Sequence, residues 1–268
     1  MAPPNIPPEL WINIINELGS TKYLSAYELP PDSRHALSQP CLINTAMKHL
    51  AEPVLYARLC ITENTLEHLS RLLNVDEAAI KHVEGGSGGM HLQIRPKARF
   101  VCSLAIPYLN YISGAKVVLE IASILRAVRS TLSRLFINFY RSYFWAYPEF
   151  RILKAALLEL SNIEEYSFAS NGVTFGLELS PMASFPKIKR LMTLEVPLHY
   201  ITDKIKSLPN LQVLITEHSD IRTLEEDLLR FLRAAEGLKS IVVVLDTEPA
   251  TGQLDTENLS ALMQRSAF

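Results

Sequence analysis

With 268 residues, 48% of them hydrophobic and 20% charged, the chain is long enough for one large core or two modest domains, and its composition is that of a globular protein. Its 26 basic and 28 acidic residues leave a net charge of −2, so no long-range field draws it to nucleic acid or to anionic lipid, and neither is expected as a partner. MAPPNIPPEL lacks the basic and apolar regions of a signal peptide, and Glu120 interrupts VVLEIASIL well short of a membrane span. Cys41, Cys60 and Cys102 lie in apolar runs without metal-ligand spacing, so buried free thiols in a cytoplasmic or nuclear protein are expected.

The first element is IPPELWINIINEL. Proline at the first helical position is tolerated, because that N–H has no intrahelical partner and φ is already near the helical value. A helix is therefore predicted to start at Pro7 or Pro8. Leu10, Trp11, Ile14, Ile15 and Leu18 line one face, and Gly19 follows as a C-cap. GSTKYLSAYELPPDSRH, with Pro30, Pro31 and Asp32, reads as a connecting loop. PCLINTAMKHLAEP predicts a second amphipathic helix, started at Pro40 and stopped at Pro53, with Leu42, Ile43, Ala46, Met47, Leu50 and Ala51 as its stripe. PVLYARL reads as a third, short helix presenting Val54, Leu55 and Leu59. Three short helices shield one another only partly, so a partner surface or the following domain is expected to cover them.

IPPELWINIINEL followed by LINTAMKHLAEPVLYARL resembles the F-box: a proline pair before an amphipathic helix, then a helix ending in Leu-Ala-Glu-Pro and a Leu-Tyr element. The resemblance implies binding of the Skp adaptor, which joins an F-box protein to a cullin ubiquitin ligase. It makes Pro7, Pro8, Leu10, Ile14, Ile15 and Leu18 a first adaptor-binding segment, and Leu42, Ile43 and Leu50 a second. The connecting loop is longer than the compact family form, Pro40 stands where an apolar residue is usual, and Thr45, Ala46 and Met47 replace a basic pair and an aromatic residue.

Beyond residue 62, ENTLEHLSRLLN predicts a linking helix with Leu66, Leu69, Leu72 and Leu73 inward. A leucine-rich tag then recurs in LSRLFIN, LSNIEEYSFASN, FPKIKRLMTL, LPNLQVLIT and AAEGLKSIVV. Aligned on Leu132, Ile163, Ile188, Leu211 and Leu238, the copies are 31, 25, 23 and 27 residues apart, close to a leucine-rich-repeat period. Each copy predicts a strand followed by a returning helix, such as TDKIKSL or TLEEDLLRFLRAA, the latter with Leu224, Leu228, Leu229 and Leu232 inward. MHLQIRP reads as the first strand of the stack, and KVVLEIASILRAV as the helix after it. The irregular repeats resemble the degenerate leucine-rich arrays attached to F-boxes in fungal proteins; an ordinary α/β domain is the alternative. The expected fold class is thus α/β: a three-helix F-box-like region over 1–62, then an irregular leucine-rich-repeat-like α/β solenoid over 63–268. DTENLSALMQRSAF reads as the start of a further return helix, so an incomplete last repeat is expected.

Catalytic chemistry is poorly supported. Gly85, Ser87 and Gly89 formally match G-x-S-x-G, but the nucleophile elbow needs a helix directly after the serine, and MHLQIRP reads as a strand. The seven histidines are scattered without ligand spacing, so neither a metal nor a cofactor is expected. FINFYRSYFWAYPEF holds eight of the 22 aromatic residues, a density that suits a contact surface, and Tyr140, Tyr143, Trp145 and Tyr147 are candidates for binding a protein substrate. The expected function is a non-catalytic, substrate-recruiting subunit of a ubiquitin ligase that binds the Skp adaptor and, through it, a cullin. An interaction scaffold without a ligase role is the alternative, and a serine hydrolase using Ser87 a distant third.

Overall fold

The computed structural model describes residues 31–43, 45–73, 97–110, 115–140, 148–170, 185–194, 208–218, 221–234 and 237–245, with isolated positions at 13, 198, 201 and 202. Six helices and seven strands lie along these segments. The helices are α1 (Pro31–Ile43), α2 (Thr45–Tyr56), α3 (Glu63–Leu73), α4 (Ala115–Val128), α5 (Pro148–Leu158) and α6 (Ile221–Ala234). The strands are β1 (Arg58–Cys60), β2 (Ser103–Asn110), β3 (Arg134–Tyr140), β4 (Glu165–Ser170), β5 (Arg190–Leu194), β6 (Val213–His218) and β7 (Ser240–Leu245). All seven strands form one parallel sheet in chain order, β1 to β7. Each crossover steps the same way, so crossovers of one hand place the connecting helices on one face, where α3, α4 and α5 pack as neighbours.

One hydrogen-bond pattern sets the register. At each of the six steps, the residue before a strand and the strand's first residue donate both N–H groups to the carbonyl preceding the neighbouring strand. Ser133 and Arg134 donate to Cys102, Glu164 and Glu165 to Ser133, Lys189 and Arg190 to Glu164, all at 2.8–3.0 Å. Side chains tie the same turns together: Asn162 Nδ2 donates to the Ser130 carbonyl (3.0 Å) and Asn210 Nδ2 to the Pro186 carbonyl (2.8 Å).

This register aligns the core in rows. Leu59, Leu104, Leu135, Tyr166, Leu191 and Leu214 face one another across successive strands, and all are buried. The next row runs Ile106, Ile137, Phe168, Thr193 and Thr216. Tyr166 stacks on Phe168 at 5.4 Å and meets Phe185 edge-on at 5.2 Å, and Thr193 Oγ1 donates to Thr216 Oγ1 at 3.2 Å, so the polar pair is satisfied inside the apolar layer. From the helices, α3 contributes Leu66, Leu69 and Leu73, and α4 contributes Val118, Ile121, Ile124 and Leu125. Leu153, Ala156 and Leu157 of α5 and Leu228 and Phe231 of α6 complete the layer.

Four expectations need correction. Pro31 and Asp32 open α1 rather than marking a loop: proline suits the first turn, and the Asp32 carboxylate there meets the positive end of the dipole. Pro40 lies inside α1 and Pro53 inside α2, neither starting nor stopping a helix. An interior proline costs about 3 kcal/mol. Each falls in the final turn of its helix, where packing offsets that cost: Pro40 is buried, and Val54 and Leu55 continue past Pro53 onto the Leu37–Ala51 cluster. PVLYARL divides into the end of α2 and strand β1 instead of forming a third helix. Finally, α6 turns Leu228 and Phe231 inward while Leu229 and Leu232 are half-buried, so the inward face lies one residue from where leucine spacing alone puts it. The predicted first helix apart from Asn13, MHLQIRP, DTENLSALMQRSAF and most of TDKIKSL lie outside the described residues.

Phe168→Ala should lower the unfolding free energy by about 3–5 kcal/mol, since it opens a cavity in the buried core beside the Tyr166 ring. Val242→Ala, at a side chain 45% exposed on the opposite face, should change it by less than about 0.5 kcal/mol. Urea denaturation followed by circular dichroism measures both, and equal losses would contradict the assignment of the two faces.

Candidate functional site

Helices α1 and α2 pack on each other around a cluster of their own, Leu37 and Ala51 with Cys41, Leu50, Val54 and Leu55, separate from the core of the sheet. Of the second candidate adaptor segment, Leu50 is half-buried in this cluster, whereas Leu42 is 79% exposed at the end of α1. Ile43 closes α1, and its side chain lies outside the described residues, as do Pro7, Pro8, Leu10, Ile14, Ile15 and Leu18. Leu42 and Leu50 therefore do not share a buried stripe: α1 ends at Ile43 and α2 begins at Thr45, so the two leucines belong to different helices.

The helix pair meets the sheet at a polar junction. Lys97, just before the 3-10 turn Ala98–Phe100, reaches Glu52 of α2 at 3.7 Å, and its ammonium lies 4.9 Å over the ring of Tyr56 and donates to Tyr56 Oη at 3.4 Å. Lys48 approaches Glu52 from the previous turn at 3.9 Å. Burial, then the Glu52 carboxylate, push the Cys41 thiol above its ordinary value, partly opposed by Lys48, Lys97 and a backbone hydrogen bond. Beside this junction, Arg34, Leu55, Tyr56, Cys60, His68 and Leu72 line part of a cavity of about 360 Å³ between the helix pair, β1 and α3. None of the three cysteines is in a disulfide; Cys60 is buried, and Cys41 and Cys102 are half-buried, less enclosed than their apolar runs predict.

The sheet face opposite the core carries two further rows. The first, at the strand starts, is Arg58, Ser103, Arg134, Glu165, Arg190, Val213 and Ser240. Glu165 bridges its two neighbours, with Oε1 3.1 Å from Arg190 and Oε2 3.7 Å from Arg134. Burial, then Arg134, draw the Arg58 guanidinium below its ordinary value, against an opposing pull from Cys102. The second row is Cys60, Ala105, Phe136, Ser167, Met192, Ile215 and Val242, which ends on a side chain 45% exposed. A charged row and a mostly apolar row thus lie side by side on this face, with Ser103, Cys60, Ala105 and Ser167 buried within them.

Tyr140 ends β3, with its side chain outside the described residues, and Tyr143, Trp145, Tyr147 and Ser87 lie wholly outside them. Pro148, at the close of the aromatic stretch, opens α5, a helix that the aromatic reading passes over; Leu153, Ala156 and Leu157 at helical spacing are the signal that marks it. Among the described residues there is no group of three or more His, Cys, Asp or Glu side chains placed to hold a metal, and no helix is long and apolar enough to cross a membrane. No protein-family model matches the chain, and no curated protein sequence matches it.

Lys97→Ala removes the ion pair, the ring contact and the hydroxyl bond together. It should speed hydrogen exchange over residues 31–56 several-fold while leaving β3 to β6 unchanged. Exchange mass spectrometry reads both regions, and uniform acceleration would show that the junction is part of a single cooperative unit.

Proposed function

We propose that the chain is a substrate-recruiting subunit of a Skp–cullin–F-box ubiquitin ligase, docking the Skp adaptor through its amino-terminal helices and capturing a protein on its repeat-like domain. The observation that carries this reading is the placement of the Leu-Ala-Glu-Pro helix. The F-box-like segment from Leu42 to Leu59 coincides with the end of α1, all of α2 and the start of β1, and its helices pack around their own small cluster. A unit with so little apolar burial gains stability from a partner, and Leu42 stands ready for one. The chain-order parallel sheet supports the second half of the reading. Its strands begin two residues after each of the aligned positions Leu132, Ile163, Ile188, Leu211 and Leu238, as a repeat array requires. In such a division of labour the chain supplies effective concentration, and the transfer chemistry belongs to other subunits.

Calorimetric titration with the purified Skp adaptor tests the reading. Saturable binding is expected for the wild-type chain. Leu10→Asp combined with Ile14→Asp should cost about 3 kcal/mol or more, because two carboxylates then enter an apolar contact. Leu42→Asp should weaken binding about tenfold with an unchanged melting curve, since that side chain is exposed in the free protein. Absence of binding by the wild-type chain would overturn the adaptor role.

A further inference from the structure

Between the helix pair and the sheet lies a space that neither core fills. The apolar side chains fall into two clusters, a small one within α1 and α2 and a large one under the sheet, and the cavity of about 360 Å³ lies where the two approach each other. Leu55 enters its wall from the small cluster, and Leu59, Leu69 and Leu72 from the large one. The hydroxyls of the wall are already engaged by the chain. Ser38 Oγ donates to the His35 carbonyl at 2.6 Å, and the Tyr56 hydroxyl accepts from Lys97 at 3.4 Å. Thr65 Oγ1 donates to the Cys60 carbonyl at 3.0 Å and accepts from the Thr62 N–H at 2.8 Å. An enclosed water needs two to four polar partners, so such a wall holds water poorly and hydrocarbon well. Asn64 and His68, one turn apart on α3, are exposed and mark the mouth.

We propose that this cavity binds one medium-length aliphatic chain with a single polar end, a fatty acid or a fatty alcohol, its hydrocarbon between the two clusters and its head at Asn64 and His68. The size fits. A cavity of about 150 Å³ takes a benzene ring, so one of about 360 Å³ takes about a dozen non-hydrogen atoms, the size of a ten-carbon acid or alcohol. A chain placed there touches Leu55 on one side and Leu59, Leu69 and Leu72 on the other, and so joins two apolar clusters that the protein leaves separate. Its binding energy comes from the apolar surface removed from water on both sides. The Asn64 amide and the His68 imidazole each carry a donor and an acceptor, which suits a hydroxyl or a carboxylate alike. At the mouth either head stays in contact with water and escapes the cost of burial. No acidic side chain stands in the described wall to repel the acid. An occupied cavity braces α1 and α2 against β1 and α3.

Calorimetric titration of the full chain with hexanoate, octanoate, decanoate and tetradecanoate, each kept below micelle formation, tests the site. One saturable site is expected. Affinity should rise about three- to fourfold for each added methylene up to decanoate, the gain of burying one methylene, and should level off by tetradecanoate, when the cavity is full. Ser38→Trp, which sends an indole into the cavity from α1, should abolish binding, whereas Ser38→Ala leaves the space open and should keep it. Leu72→Gln puts an amide in the apolar wall from a second direction and should weaken decanoate about tenfold. Melting curves of the unliganded variants show that each is folded. Parallel titration with 1-decanol separates the two sources: tighter decanoate identifies the acid, tighter decanol the alcohol. Absence of saturable binding by both, an affinity indifferent to chain length, or undiminished binding to folded Ser38→Trp and Leu72→Gln chains would overturn the site. Because these titrations use the chain without the adaptor, their failure leaves adaptor docking untouched, and failed adaptor titration leaves the cavity site standing.

Discussion

Everything in the sheet depends on a shared carbonyl. At each step two consecutive amides converge on the carbonyl that precedes the neighbouring strand, from Ala57 through Gln212. A parallel strand slipped by one residue would turn its core side chains to the opposite face, so this double bond fixes more than position. It decides that Leu135, Tyr166, Leu191 and Leu214 form one buried row, and that Arg134, Glu165 and Arg190 form a row on the other side. The ion pairs of Glu165 are therefore consequences of the register. Their groups are partly exposed, and such pairs contribute about 0–1 kcal/mol, far less than burial of the aromatic layer. Packing holds the sheet together, and the charges give its outer face a pattern.

The irregular spacing of the units is accommodated away from the strands. Strand starts are separated by unequal lengths of chain, yet the hydrogen bonds at each step remain between 2.8 and 3.1 Å. Where a strand itself is irregular, the register absorbs it locally. Between Ile106 and Leu109 the pairing of β2 with β3 shifts, and Pro107, which has no N–H for the ladder, stands in that shift. The sheet tolerates proline there because the residues on either side of the bulge still pair.

Sequence reading recovered the later half of the sheet and missed its beginning, for identifiable reasons. The aligned residues Leu132, Ile163, Ile188 and Leu211 are all buried and stand two places before β3, β4, β5 and β6, so the repeating tag was a register mark. Strand β1 has three residues, too few for alternation to show, and Pro107 argues locally against β2. Pro40 and Pro53 look like helix boundaries because local chemistry disfavours them inside helices; packing of Leu37, Ala51, Val54 and Leu55 outweighs that preference. The arginine pair around Ser103 is illegible for a related reason. Arg58, Ser103 and Arg134 are far apart in the chain, and only the pairing of the two unrecognised strands brings them into one row.

Lys97, Glu52 and Tyr56 join the helix pair to the sheet, and the proposed function gives the helix pair to the adaptor and the repeat-like sheet to a captured protein. Hydrogen-exchange mass spectrometry of the chain with and without the Skp adaptor tests that division most directly. The account predicts new protection confined to residues 1–62, with β3 to β7 unchanged. Protection of the sheet face instead, or none anywhere at saturating adaptor, would contradict it.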